Sequence, residues 1–196
     1  VPLRVQLTGY NPFIPLDDIN SGIPCAILEY TLQNRSKRKC DFEFSYHLSH
    51  LAQGPGNNRQ PGGSQSRNEI IPGAGIYFYN TNDENAASFG SASLSVVGHR
   101  PSIKAMWFRG RWFDAISALW SEVSTGSFKP NKGDDAKNLT GRNGGSILLK
   151  GSLKPGEKVT YPILITWHFP NCDYRAGRID NQEIGDECCE GPEWRP

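Results

Sequence analysis

The chain has 196 residues, with 21 basic against 20 acidic side chains and a formal net charge of +1. That balance argues against a nucleic-acid partner or a polybasic membrane role, and no apolar run approaches the roughly 18 residues of a membrane span. The 21 glycines and 14 prolines exceed the usual share of about 12% and call for many turns and short elements within one domain.

No signal peptide is visible. Val1 is no initiator, the only methionine is Met106, and Leu3, Val5 and Leu7 already alternate like a strand in progress. The expectation is a processed or excised piece of something longer, truncated on the N-terminal side, with the compartment left open.

Residues 9–18 are punctuated by Pro12 and Pro15 and read as an extended segment. Ala26, Leu28, Tyr30 and Leu32 then alternate on one face, as do Phe42, Phe44, Tyr46 and Leu48 beyond the polar link Asn34–Lys39. Two alternating runs around a short link predict a β-hairpin. Residues 53–68 lack apolar periodicity and read as a loop. Shorter strands follow at Gly75–Tyr79, Ala92–Val97 and Ile103–Phe108. Ile116, Leu119, Trp120 and Val123 recur at helical spacing, predicting one helix over Phe113–Val123 with this stripe packed in the core. Gly126–Gly145 reads as loop and Ile147–Lys150 as a short strand.

The richest stretch comes last. Val159, Tyr161, Ile163, Ile165, Trp167 and Phe169 alternate with Lys158, Thr160, Pro162, Leu164, Thr166 and His168, which describes a strand with one buried face. Pro155-Gly156 supplies the turn before it. Pro162 cannot donate to a ladder, so the strand is expected at an edge or bulged. Past Asn171 the chain becomes charged and aperiodic. The expected organisation is an all-β, antiparallel two-sheet β-sandwich over residues 1–171 with one short helix, followed by an exit linker or tail over 172–196.

Chemistry is sparse. The acidic pairs Asp17-Asp18, Asp83-Glu84, Asp134-Asp135 and Asp186-Glu187 all fall in predicted loops, whereas acid/base hydrolysis needs two rigidly held carboxylates. No nucleophile elbow, phosphate loop, dinucleotide fingerprint or His-Glu-x-x-His is present. His47 and His50 are three apart on a strand and face opposite ways. His99 sits in a turn, and His168 reads as a structural or interface histidine. Cys25 and Cys40 read as small side chains in strands. Cys172, Cys188 and Cys189 lack the Cys-x-x-Cys spacing of a zinc site, so no metal and no cofactor is expected. Trp107, Trp112 and Trp120 are expected in the core or against a partner domain, with sugar stacking as the alternative. Two Asn-x-Ser/Thr sequons, at Asn34 and Asn138, fall on predicted surface loops.

Three blocks carry a family resemblance. They are Asn11-Pro12-Phe13-Ile14-Pro15-Leu16-Asp17 with Ile23–Asn34, Trp112–Gly126, and Leu153-Lys154-Pro155-Gly156-Glu157 ending in Trp167-His168-Phe169-Pro170-Asn171. In this order and spacing, over about residues 5–171, the chain resembles the N-terminal β-sandwich domain of the non-lysosomal glucosylceramidase (bile-acid β-glucosidase) family of glycoside hydrolases. The resemblance implies a retaining β-glucosidase in which a helical (α/α)6 barrel follows the sandwich and carries the nucleophile and acid/base. It implies a glycoside substrate at the domain junction, and it transfers no catalytic residue to this chain. The expected function is therefore a non-catalytic domain supporting that barrel. The alternatives are a stand-alone carbohydrate-binding module or a protein-interaction sandwich.

Overall fold

The computed structural model describes residues 2–52, 66–107, 114–130 and 144–172. Among these residues nine strands and two helices run in the order β1 (Leu3–Tyr10), α1 (Asp18–Ser21), β2 (Cys25–Asn34), β3 (Cys40–Ser49), β4 (Ser66–Ile71), β5 (Gly75–Asn80), β6 (Ser91–Val96), β7 (Ser102–Lys104), α2 (Ala115–Ser124), β8 (Gly144–Leu153) and β9 (Lys158–His168). The strands form a six-stranded sheet, β1-β2-β9-β6-β5-β4, and a three-stranded sheet, β3-β8-β7. Every pairing is antiparallel. The expected all-β sandwich is thus the architecture, with one helix more than expected.

The core lies between the sheets. Ile76, Phe78, Leu94 and Ile163 from the large sheet and Ile147 from the small one are fully buried, with Tyr161, Leu149 and Leu153 beside them. Large apolar side chains buried in this way contribute about 1.5–3 kcal/mol each. Close packing also explains two glycines. A Cβ on Gly75 would fall 1.9 Å from the Leu94 carbonyl oxygen, and one on Gly145 would fall 2.4 Å from Ile76 Cδ1.

β2 and β3 form as expected but do not make a hairpin. They lie in opposite sheets, and Arg35–Lys39 arches across the gap of about 10 Å that separates packed sheets. The apolar faces of the two strands meet through the core, with the Tyr30 ring centroid 5.1 Å from that of Phe44 and 6.0 Å from that of Tyr46. The link has no glycine and none of its residues takes positive φ, so it does not make the primed turn of a tight two-residue hairpin.

β9 also departs from expectation, because it is central, between β2 and β6. Pro162 is tolerated there because of where β6 stops. The β6 ladder ends at Val96↔Ile163, and the Val97 N–H donates to the Pro162 carbonyl at 3.0 Å. A residue's N and C=O point to the same side of an antiparallel strand, so the missing N–H faces the place where the neighbour has ended. Only the first half of the β9 apolar face is covered, and Trp167 and Phe169 emerge exposed. Residues 66–68, expected as loop, open β4.

α2 forms where it was expected, its bounds shifted by one or two residues, and is capped by Asp114, whose carboxylate accepts from the Ile116 and Ser117 amides. These two bonds and that from the Ser117 hydroxyl hold the Asp114 carboxyl below its ordinary pKa, the Ile116 amide first among them. The helix lies by β7, where Lys104 Nζ pairs with Glu122 at 2.8 Å, largely out of solvent. Its apolar stripe is not core: Leu119 is buried, but Ile116 is exposed and Trp120 is 70% exposed.

Candidate docking surface at one end of the sandwich

The connections are unequal at the two ends. At one end run the short turns 35–39, 72–74, 97–101 and 154–157; at the other lie residues 11–24 and 81–90 and the described segments 50–52 and 105–107. β9 delivers the chain to that second end. Long connections on a rigid sandwich are where such folds carry function.

Residues 11–24 form one of these connections. Phe13 N–H donates to the Asn11 carbonyl at 2.8 Å, and Asp17 N–H to the Ile14 carbonyl at 3.1 Å. The Ser21 hydroxyl closes the loop, donating to the Ile14 carbonyl while accepting from the Ile14 N–H, both at 2.8 Å. Asp17 caps α1 by accepting from the Asn20 amide at 2.9 Å and from the Asn20 side chain at 2.6 Å. These two bonds, the backbone one first, hold its carboxyl below its ordinary pKa. The loop is thus built by its own hydrogen bonds rather than by burial.

What it presents is apolar. Leu16 is fully exposed and Ile19 83% exposed, with Phe13, Ile14 and Ile23 also open to solvent. Leu16 is the one non-glycine described residue at positive φ, 68°. That region costs an L-residue about 1–2 kcal/mol, and a solvated leucine recovers none of it in the isolated domain. Strain held beside an exposed apolar side chain points to a surface shaped for contact.

The end of β9 joins the same surface. Trp167 N–H donates to the Pro24 carbonyl at 3.0 Å, tying β9 to the loop's exit. Phe169 lies over Gly90, where a Cβ would come within 2.2 Å of its ring. Asn171 Nδ2 donates to the Glu84 and Ala86 carbonyls at 2.6 and 3.0 Å. The Phe169-Pro170-Asn171 segment is therefore pinned across the 81–90 connection as the chain leaves the sandwich.

The candidate chemical groups do not assemble here. Asp17 serves as a helix cap, and Asp83 Oδ1 accepts from the Asn85 amide at 2.9 Å within a turn. Asp134-Asp135, Asp186-Glu187, Trp112, Asn138, Cys188 and Cys189 lie outside the described residues. His47 Nδ1 is 2.7 Å from Ser146 Oγ and its Nε2 is 3.0 Å from Ser45 Oγ. Ser146 also accepts from Trp107 Nε1 at 2.7 Å, which places Trp107 in the interior as expected. His50 is buried with Nε2 3.0 Å from the Arg67 carbonyl, and His99 packs edge-on against Tyr161. His168 is exposed at the end of β9. Among the described residues no group of three or more His, Cys, Asp or Glu could hold a metal.

The Asn34 sequon is not on a surface loop. Asn34 is fully buried at the end of β2, and its amide nitrogen is bonded to the Arg38 and Leu153 carbonyls. Two surface depressions are lined by Arg4, Gln6, Thr31, Gln33 and Lys158, and by the turns at 73–74 and 95–100. Neither contains a tryptophan or tyrosine, so neither offers the aromatic platform of a sugar-binding module. Sequence reasoning missed α1 and the strain at Leu16; Asp17 three residues before Asn20, after Pro15, was the available capping signal.

Fold and surface together define a two-sheet antiparallel β-sandwich with an apolar end and, among the described residues, no assembled acid/base pair. Residues 1–184 match the family model described as beta-glucosidase 2, glycosyl-hydrolase family 116 N-term. The match takes in most of the 196 residues, and the chain belongs to this family of glycoside-hydrolase N-terminal domains. No curated protein matches it. No helix among the described residues is long and apolar enough to cross a membrane.

Proposed function

We propose that the chain is the non-catalytic supporting domain of a retaining β-glucosidase, and that its apolar end packs against a helical (α/α)6 barrel following in the same polypeptide. Residues 1–171 are the sandwich in this reading, and 172–196 begin the passage to the barrel. One observation carries it: the self-built loop with Phe13, Leu16 and Ile19 exposed stands at the end to which β9 delivers the chain. A domain joined at that end meets the loop first. The described helices are four and ten residues long, far short of a twelve-helix barrel of average helices, so the carboxylates of hydrolysis belong to the partner. Residues 11–24 and 81–90 at this end then form part of the rim where a glycoside enters.

The test is hydrolysis of a β-glucoside by the whole polypeptide, by its helical part alone and by residues 1–196. The expected result is turnover by the whole chain, none by residues 1–196, and a helical part that is inactive or short-lived without the sandwich. Equal activity and lifetime of the helical part alone would overturn the supporting role.

A further inference from the structure

The near-balance of charge over the whole chain conceals a segregation between the two ends of the sandwich. The turns 35–39, 72–74, 97–101 and 154–157 carry Arg35, Lys37, Arg38, Lys39, Arg100 and Lys154 against one acid, Glu157. Residues 11–24 and 81–90 at the other end carry Asp17, Asp18, Asp83 and Glu84 and no basic residue. All six cations are exposed. Of the six, Lys39 alone is ion-paired among the described residues, with Asp41 at 3.6 Å. Glu157 turns back on its own turn, accepting from the Lys154 N–H at 2.7 Å. The fold ties these turns to one another. Asn34 Nδ2 donates to the Arg38 carbonyl, Gly156 N–H donates to the Asn34 carbonyl at 2.9 Å, and His99 Nε2 lies 3.1 Å from the Thr160 carbonyl. Packed sheets stand about 10 Å apart, no more than a Debye length at ordinary ionic strength, so the fields of the cations add. Arg4 and Lys158, both exposed, extend the patch along the starts of β1 and β9, where they line a shallow depression with Gln33.

We propose that this end of the sandwich docks on an anionic lipid surface, its cations at the level of the headgroup phosphates. The polybasic membrane role that the total charge argues against thus returns for one end of the molecule. Three observations select that partner. The cations stand on the tips of separate turns, and Lys37, Arg38 and Lys39 line neither surface depression, which suits a broad field of phosphates better than one peptide in a cleft. Apolar groups share the tips: Val97 is 55% exposed, with Pro72 and Pro155 also open to solvent. Small apolar tips among cations are accommodated just below the headgroups of a bilayer. The four turns contain no Phe, Tyr or Trp on which the bases of a single-stranded nucleic acid could stack. They also hold no helix among the described residues that could enter a duplex groove. The acidic, apolar end points the opposite way, so contact with a bilayer leaves it free.

The proposal concerns the end away from the apolar loop and stands or falls separately from the proposed function. Co-sedimentation of the whole polypeptide with vesicles tests it, comparing phosphatidylcholine alone with phosphatidylcholine containing phosphatidylserine. Binding is expected only to the mixed vesicles, and it is expected to weaken as salt is raised. Each basic side chain near an anionic bilayer strengthens partition about fivefold. Lys37→Glu combined with Arg38→Glu is therefore expected to weaken binding at least about tenfold, with the Tm nearly unchanged because both side chains are exposed. Arg100→Glu combined with Lys154→Glu, on two other turns, is expected to do the same. Absence of binding to the mixed vesicles would overturn the proposal. So would equal binding to phosphatidylcholine alone, or binding that survives both pairs of substitutions. Tighter binding to double-stranded RNA or to polyglutamate than to the mixed vesicles would give this end a different class of partner, and would equally overturn it.

Discussion

Asn34 Nδ2 donates to the Leu153 carbonyl at 2.9 Å, joining the end of β2 to the end of β8 at the point where both leave their sheets. The same nitrogen donates to the Arg38 carbonyl at 2.7 Å. Its Oδ1 accepts from the Ser36 amide and hydroxyl at 2.9 and 2.8 Å. The Asn34 backbone exchanges bonds with Gly156 N–H and the Glu157 carbonyl. One buried amide thus satisfies two neighbouring arches, which is what a buried polar group must do to be tolerated.

Asn34→Ala leaves several of these arch groups without partners, each costing about 1–3 kcal/mol. A loss of roughly 3 kcal/mol or more is expected in urea unfolding, with Asn34→Asp worse because a carboxylate would face two carbonyls. Expression in a glycosylating host is expected to leave Asn34 unmodified, as intact mass and peptide mapping would show.

Burial is what lowers the His47 pKa below its ordinary 6.5. The hydrogen bonds suit a neutral ring, with Ser146 donating to Nδ1 and Nε2–H donating to Ser45. The folded pKa lies below the unfolded one, so this contribution is complete above about pH 6.5 and declines as pH falls toward the folded pKa. Melting temperature is expected to drop on acidification through this range, and His47→Gln to flatten that part of the profile.

Gly75→Ala would drive a methyl group into the Leu94 carbonyl, which is backbone and cannot rotate away. A loss of roughly 3 kcal/mol is expected, or failure to fold. By contrast, alanine at Gly22, where a Cβ would sit 3.0 Å from the Asp18 carbonyl on the exposed α1 turn, is expected to cost under about 1 kcal/mol. Chemical denaturation of the two variants decides between them.

Leu16→Gly separates stability from docking. Glycine takes φ of 68° without the penalty paid by leucine, so the isolated domain is expected to gain roughly 0.5–1 kcal/mol after glycine's extra entropy loss. Assembly with the helical part is expected to weaken about tenfold or more, since the exposed side chain is lost. Calorimetry on the isolated domain and on the whole polypeptide reads the two effects.

Strand positions and faces were legible because alternation reports which side of a strand is buried: β2, β3 and β9 all begin and end near where Cys25, Cys40 and Lys158 suggested. Pairing was not legible, because alternation is blind to whether Tyr30 and Phe44 meet beside each other or across the core. Pro162 misled for a related reason, since its cost depends on where β6 ends. The stripe on α2 and the second half of the β9 face read as core, whereas Trp120, Trp167 and Phe169 are exposed. An apolar face meant for another domain has the same pattern as one meant for the interior. The docking end was visible only as the Asn11–Asp17 block of the family resemblance; the strain at Leu16 is a property of backbone that no residue type announces.

The central claim is that the end carrying Leu16 is a contact surface within a larger glycosidase. Hydrogen exchange by mass spectrometry on residues 11–24, in the whole polypeptide and in residues 1–196, tests it most directly. The account predicts strong protection of this loop in the whole polypeptide, because its amides become covered, and rapid exchange in the shorter chain. Equally fast exchange in both would mean that nothing packs on Phe13, Leu16 and Ile19, and would contradict it.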